Sequence, residues 1–429
     1  MKKRKLLLGL LTASLLCLSG CSLFNDDDIA YENKYNPATV VPEEEPEDPD
    51  AIKVLGVTAK EDENVPNTLC FKSVPYDEDG KIINTYKEGG VNHKGYAVNA
   101  NQDYEATKRS NNFDLYVPNS ALQKDKNLVI LFIHGGAWVS GFKTDVNEYV
   151  HSFANKGYIT ATIKYTLLKR TMDDSSLSVF RDLDEIDACI KAIKTALEEL
   201  NLYNANTKLA IGGASSGAHL SMLYSYSRGN ASALPINFVI DAVGPVDIKP
   251  ENWKAFKNST VGTEVGLTYD AISANATNLT ELAIAGENPA KNWNDYQTLR
   301  VANGMCGLPY SLEDVRACTN DDEAEIVSPN PASNSMTAVD GGEDQLSVTY
   351  WINKGVNKFP IICAYAGRDS IVGIAQYAKL EKALIDNSIS YQYVYFKEQN
   401  HTQITEKDNK ESYDDFLAKI NTAADAAIA

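Results

Sequence analysis

Gly213-Ala214-Ser215-Ser216-Gly217 has the residue types and spacing to present a nucleophile. The segment follows a short β-type run, Lys208 to Gly212, and precedes an apolar helical run. A strand that turns into a helix this sharply leaves no room for side chains two residues either side of the nucleophile, which accounts for glycine at 213 and 217. Ser215 would then stand out over the sheet edge, ready to attack an acyl carbonyl. The pattern alone occurs in many unrelated loops, so its companions decide.

His134-Gly135-Gly136-Ala137-Trp138 directly follows an apolar strand-like run and opens a loop. Attack on a carbonyl places negative charge on its oxygen, and glycine-rich backbone lets N–H groups converge there. Gly136 and Ala137 are the candidate donors, joined by the N–H of Ser216. The competing reading is a tight turn in which His134 and Trp138 are merely packed. Gly367-Arg368-Asp369-Ser370 ends the run Pro360 to Ala366, and Asn400-His401-Thr402 follows the run Tyr391 to Phe396. Both would reach the carboxyl edge of a parallel sheet, where open α/β sheets bind ligands. His401 would take the Ser215 proton and pass it to a leaving alcohol, while Asp369 would hold the imidazole tautomer and stabilise its charged form. Asp247 is the rival acid. Of the remaining histidines, His134 belongs to the glycine-rich loop, His219 faces back into structure, and His93 and His151 fall outside the expected edge.

Eight runs rich in β-branched and aromatic residues could carry these groups: Leu69 to Val74, Phe113 to Val117, Leu128 to Ile133, Tyr158 to Tyr165, Leu209 to Gly212, Phe238 to Val243, Pro360 to Ala366 and Tyr391 to Phe396. Leu128 to Ile133 is apolar on both faces, as a central strand covered by helices should be. Phe180, Leu183, Ile186, Ile190, Ile193 and Leu197 recur every three or four residues and mark an amphipathic helix, and a second helix is expected over about Ala375 to Ile385. Strands alternating with helices predict an α/β fold, a mostly parallel twisted sheet with helices on both faces. Residues 250–358 break that rhythm where one helix would suffice, and read as a cap insertion with Trp253, Tyr269, Trp293, Tyr296 and Trp351 scattered through it. Those aromatics could line a cleft or form the cap's own small core.

The N-terminal region reads differently. Lys2 to Lys5 precede an apolar stretch from Leu6 to Leu18 that is too short to span a bilayer, followed by Leu18-Ser19-Gly20-Cys21. Residues 1–20 therefore read as an export signal resembling a bacterial lipobox, with Cys21 acylated as the first mature residue, held stably at a membrane by more than one acyl chain. Residues 21–65 read as a disordered tether. From Ser22 to Val65 it holds thirteen acidic and three basic residues, interleaved with proline, a large share of the formal net charge of −18. This balance argues against nucleic acid as a partner. Neither C-x-x-C nor clustered histidines point to a metal. Cys306 and Cys318 are the candidate disulfide in an exported chain, whereas Cys189 and Cys363 read as small buried hydrophobes.

Taken together, His134 to Trp138, Gly213 to His219, Gly367 to Asp369 and His401 resemble the α/β-hydrolase superfamily, in particular its HGG-type esterase and lipase branch related to hormone-sensitive lipase. Exported acetyl-xylan or feruloyl esterases and kynurenine formamidases are similar in this region. The resemblance implies hydrolysis of carboxylic esters through an acyl-enzyme, without a cofactor, by Ser215, His401 and Asp369. Chain order Ser, Asp, His agrees with it. Ala137 replaces the branch's third glycine and Ser216 its usual alanine, and neither change removes an N–H. The core would comprise residues 66–249 and 359–429, acting outside the cell from a bacterial membrane on short acyl esters such as acetylated or feruloylated carbohydrates. Two alternatives are a non-catalytic surface binding protein on the same fold and a peptidase of the prolyl-oligopeptidase type, which would need a large preceding domain.

Overall fold

The computed structural model describes residues 52–54, 56–76, 91–92, 96–97, 111–138, 141–167, 179–248, 344–369 and 371–429. The export segment with Cys21, the tether up to residue 51, His93, residues 249–343 with four of the five insertion aromatics, and the Cys306–Cys318 pair lie outside the described residues.

All eight expected runs are strands of one sheet: β1 Thr68–Pro75, β2 Asn112–Pro118, β3 Leu128–Ile133, β4 Ile159–Lys164, β5 Lys208–Ala214, β6 Ile236–Ala242, β7 Ile361–Ala366 and β8 Tyr391–Phe396. Their order is β8-β7-β6-β5-β3-β4-β2-β1. Strands β3 to β8 pair in parallel, while β2 runs antiparallel to both β1 and β4. Among the described residues the α-helices are α1 Asn147–Asn155, α2 Val179–Glu199, α3 Ser216–Arg228, α4 Val348–Lys354, α5 Ile374–Asp386 and α6 Lys410–Ile428.

Period-two alternation along β3 explains its central place. Val129, Leu131 and Ile133 join the apolar layer formed with α2, α3, α4 and α5, whereas Leu128, Ile130 and Phe132 join the opposite layer with α1 and α6. Each such side chain contributes about 2 kcal/mol on burial, so six on one strand hold it far more firmly than any single hydrogen bond. The loop that β3 carries therefore starts from a fixed point. Arg181 and Glu185 form a buried ion pair at 3.1 Å within α2, and Glu185 also accepts from the Thr166 N–H at 2.7 Å, which fastens the helix to the end of β4.

Two expected boundaries move. Residues 52–65 belong to the folded body rather than the tether: Lys53–Val54 pairs with Val57–Thr58, Lys60 bridges to Cys70, and Val54 and Val65 are fully buried. The apolar residues among the acidic ones supply the anchorage that a charge count overlooks. At the other end of the chain's long insertion, Leu346, Val348 and Ile352 are also fully buried in the core, so the stretch from 345 onward packs with the body and not with a cap. Cys70, Cys189 and Cys363 are buried free thiols.

Departure into the insertion and return from it are joined side by side. The Ile248 N–H donates to Ser347 Oγ at 3.0 Å, and the Thr349 N–H donates to the Val246 carbonyl at 3.2 Å. Gln376 of α5 accepts from the N–H groups of Val246 and Asp247 at 2.7 and 2.8 Å and donates back to the Asp247 carbonyl at 3.1 Å. Lys379 pairs with the Asp247 carboxylate at 3.0 Å. The rival acid is thus committed to this junction.

Near the end of β6, Asp241 is wholly buried, with Oδ1 accepting from the Gly244 N–H at 2.7 Å. Burial pushes its carboxyl up to about 7. A carboxyl whose proton is held more tightly folded than unfolded favours the native state fully below its ordinary value near 4, and that contribution is lost as pH rises through 7. Denaturant unfolding should therefore show wild type losing stability between about pH 4 and 7 relative to Asp241→Asn, which stays neutral. A difference between the two proteins that does not change with pH would refute this.

Candidate active site

The serine turn lies where β5 becomes α3. Ser215 has φ 52° and ψ −121°, its N–H donates to the Ala242 carbonyl at 2.8 Å, and its own carbonyl accepts from the His219 N–H at 3.0 Å. Neighbouring strand and incipient helix thus hold the strained residue from both sides. A Cβ at Gly213 would stand 2.5 Å from both the Gly217 carbonyl carbon and Ile133 O, and one at Gly217 would stand 2.2 Å from Ile133 O and 2.4 Å from His134 O. The glycines are needed because the turn packs backbone to backbone against the end of β3, a contact between strands that local spacing does not reveal. Gly217→Ala must displace sheet backbone, so we expect it to lose at least about 3 kcal/mol of stability, seen as a large fall in melting temperature or loss of soluble protein. A variant melting within a few degrees of wild type would contradict this contact.

Ser215, Asp369 and His401, separated in sequence, meet at the carboxyl edge of the sheet. His401 Nε2 lies 2.8 Å from Ser215 Oγ, and Nδ1 lies 2.6 Å from Asp369 Oδ2. Asp369 Oδ1 accepts from the N–H groups of Ile371 and Val372 at 2.9 and 2.8 Å, and its side chain is wholly shielded from solvent. The acid and base loops are bonded to each other: Gly367 N–H donates to Phe396 O at 2.9 Å and Arg368 N–H to Gln399 O at 2.8 Å. The imidazole can accept a proton at Nε2 while the carboxylate fixes the proton on Nδ1.

Beside the serine runs the glycine-rich loop. A Cβ at Gly135 would stand 2.9 Å from Ala214 O and 3.1 Å from Ser215 Cβ, so the loop touches the turn directly. Gly136, Ala137 and Trp138 follow one another at φ 117°, 50° and 63°. Three successive residues in this region bend the chain tightly and can set adjacent N–H groups on one side, forming an anion-binding concavity. Ser216, the other candidate donor, is the first residue of α3. His134 itself is buried, stacked on Tyr165 at 4.4 Å between centroids, with Nδ1–H donating to Gly135 O at 2.7 Å. Burial pushes its imidazole down to about 4, so it is neutral at physiological pH and serves as structure.

Sequence reasoning passed over two contributors. Gly135 is recognisable only as part of a motif, and its contact with the serine turn appears once β3 and β5 are adjacent. His219 is buried as expected, but it also binds Trp138 of the glycine-rich loop. His151 lies near Asp62, away from the site.

Fold and site define an α/β-hydrolase whose site is centred on a serine. Residues 113–283 match the BD-FAE family model, a span that holds both the glycine-rich loop and the serine turn and ends before Asp369. Among solved structures, esterase B of Lactobacillus rhamnosis is 16% identical with a TM-score of 0.46, covering 74% of this chain and 81% of its own. A thermophilic esterase of Thermogutta terrifontis is 14% identical with a TM-score of 0.44, covering 72% and 86%, and a bacterial heroin esterase is 14% identical at 0.44, covering 73% and 80%. No curated protein matches the sequence.

Proposed function

We propose that the protein is exported, anchored through acyl groups on Cys21, and hydrolyses short acyl esters such as acetylated or feruloylated carbohydrates through an acyl-enzyme on Ser215. The observation that carries the chemistry is the continuous chain from Ser215 Oγ through both nitrogens of His401 to Asp369. Ser215 Oγ attacks the ester carbonyl carbon as its proton passes to His401 Nε2. The carbonyl oxygen, now negative, is received by N–H groups of Gly136, Ala137 and Ser216. Collapse breaks the carbon–oxygen bond to the alcohol, which leaves with the proton from Nε2. A water then gives its proton to Nε2 and attacks the acyl carbon, and the carboxylic acid departs as Ser215 Oγ regains its proton. Asp369 stays ionised throughout and stabilises the imidazolium that forms twice in each cycle.

Lys2 to Lys5, the apolar run and Cys21 support export and anchoring, and the acidic segment supports a spacer between the membrane and the hydrolase body. The test has two parts. Purified protein is assayed on p-nitrophenyl acetate and butyrate, then on acetylated sugars, feruloylated sugars and short-chain glycerides, with the Ser215→Ala variant alongside. Activity on none of them, or failure of a fluorophosphonate to label Ser215, would leave a surface binding protein as the reading, and cleavage of a proline-containing peptide without ester turnover would favour a peptidase. Palmitate labelling of cells producing the full chain should be abolished by Cys21→Ser, and label retained in that variant would refute the anchor.

A further inference from the structure

His219 joins two parts of the site that no sequence pattern connects. It is fully buried in the first turns of α3. Its Nδ1 accepts from the indole Nε1–H of Trp138 at 3.2 Å, and its Nε2–H donates to the carbonyl of Leu346 at 2.7 Å. An indole nitrogen can only donate and a carbonyl can only accept, so these partners admit one state of the ring, neutral with its proton on Nε2. The Trp138 ring also meets the imidazole edge on, with centroids 5.2 Å apart.

What the indole is held for follows from the backbone beneath it. Trp138 is the third residue in succession, from Gly136, with a positive φ, and for Ala137 and Trp138 that conformation costs of order 1–3 kcal/mol each. Such a run persists only when its surroundings impose it. One end is fixed by His134, through its stacking on Tyr165 and its bond to Gly135 O. The other end is fixed at the Trp138 side chain. We propose that His219 is a positioning residue for ester hydrolysis: by gripping Trp138 it keeps the Gly136 and Ala137 N–H groups turned toward the carbonyl oxygen of the substrate, and by gripping Leu346 it references that loop to the segment returning from the insertion. This rests on the reading of Ser215 as nucleophile and adds the residue that keeps its oxyanion donors in register. His219 touches neither substrate nor reacting atoms, so it acts on the rate only through Trp138.

The experiment compares wild type, His219→Ala, His219→Asn, Trp138→Phe and the double variant His219→Ala with Trp138→Phe. For each, kcat and KM for p-nitrophenyl acetate, the affinity of a trifluoromethyl ketone that forms a tetrahedral adduct on serine, and the melting temperature are measured. His219→Ala should lower kcat about ten- to a hundred-fold with KM within about two-fold, because displaced donors stabilise the transition state less while still admitting the ester. Affinity for the ketone should fall in step. Asparagine, whose Oδ1 reproduces the acceptor at Nδ1, should recover most of the loss. Trp138→Phe, which keeps an aromatic ring and removes the donor, should match His219→Ala, and the double variant should be no worse than either. A folded His219→Ala with kcat within about two-fold of wild type, or losses that simply multiply in the double variant, would overturn the proposal. Should His219→Ala not fold, Trp138→Phe with unchanged kcat would overturn it instead. Equal turnover by wild type and Ser215→Ala would overturn the underlying reading and this inference with it, whereas Ser215-dependent turnover with indifferent His219 variants would overturn this inference alone.

Discussion

Alanine in place of Ser215 should lower ester turnover by roughly 10⁴- to 10⁶-fold and leave the protein folded. The oxygen removed is the one that forms the covalent bond, and no other hydroxyl is bonded to His401 Nε2 among the described residues. Alanine retains the Cβ, so the left-handed turn at 215 meets no new atom, and the single hydrogen bond lost to a partly solvated imidazole is worth about 1 kcal/mol. Rate and stability should thereby separate: kcat is expected to collapse and fluorophosphonate labelling to disappear, while the melting temperature shifts by only a few degrees. Residual turnover above water is the share left to the loop amides and to binding. Full turnover by the alanine variant would remove Ser215 from the chemistry.

Asp369→Asn should cost about 10⁴-fold in kcat, by a route that the surrounding bonds dictate. At position 369 the two N–H groups of Ile371 and Val372 point at one oxygen. Only the carbonyl oxygen of an asparagine can sit there, so its NH₂ is forced to face His401 Nδ1. That nitrogen must then accept, the ring proton moves to Nε2, and the imidazole presents a hydrogen to Ser215 instead of a lone pair. Geometry is preserved and basicity is not. Labelling by a fluorophosphonate should slow in parallel with hydrolysis, with KM nearly unchanged. A variant that keeps a tenth or more of the wild-type kcat would show that the carboxylate does not set the tautomer.

These three side chains were legible in the sequence because each lies just beyond a strand whose residues announce it. β5 runs through Leu209, Ala210 and Ile211 into the glycines of the serine turn, β7 and β8 are rich in β-branched and aromatic residues, and a parallel sheet delivers all such strand ends to one edge. α6 carries a weaker signal: Tyr413, Phe416, Ile420 and Ala424 are its buried residues, set among alanines and charges that suit a helix or a solvated tail equally. The early residues from 52 onward escaped notice for a related reason, since acidic neighbours mask the few apolar side chains that dock. The His219 bridge is of another kind. Its partners lie 81 and 127 residues away, so no periodicity or motif could have joined them. Hydrogen bonds across a fold obey proximity, which sequence spacing encodes only within a strand or a helix turn.

The junction at Val246 to Ile248 and Ser347 to Thr349 marks the point where a change in chain length costs the fold least. Because exit and re-entry are fastened to each other and to Gln376, the body itself holds the two ends of the insertion together. Doubling that length adds only about 0.6 kcal/mol of closure entropy. A longer or shorter connection at this splice point should therefore change the body's stability by little more than that closure cost, which denaturant unfolding of length variants would check.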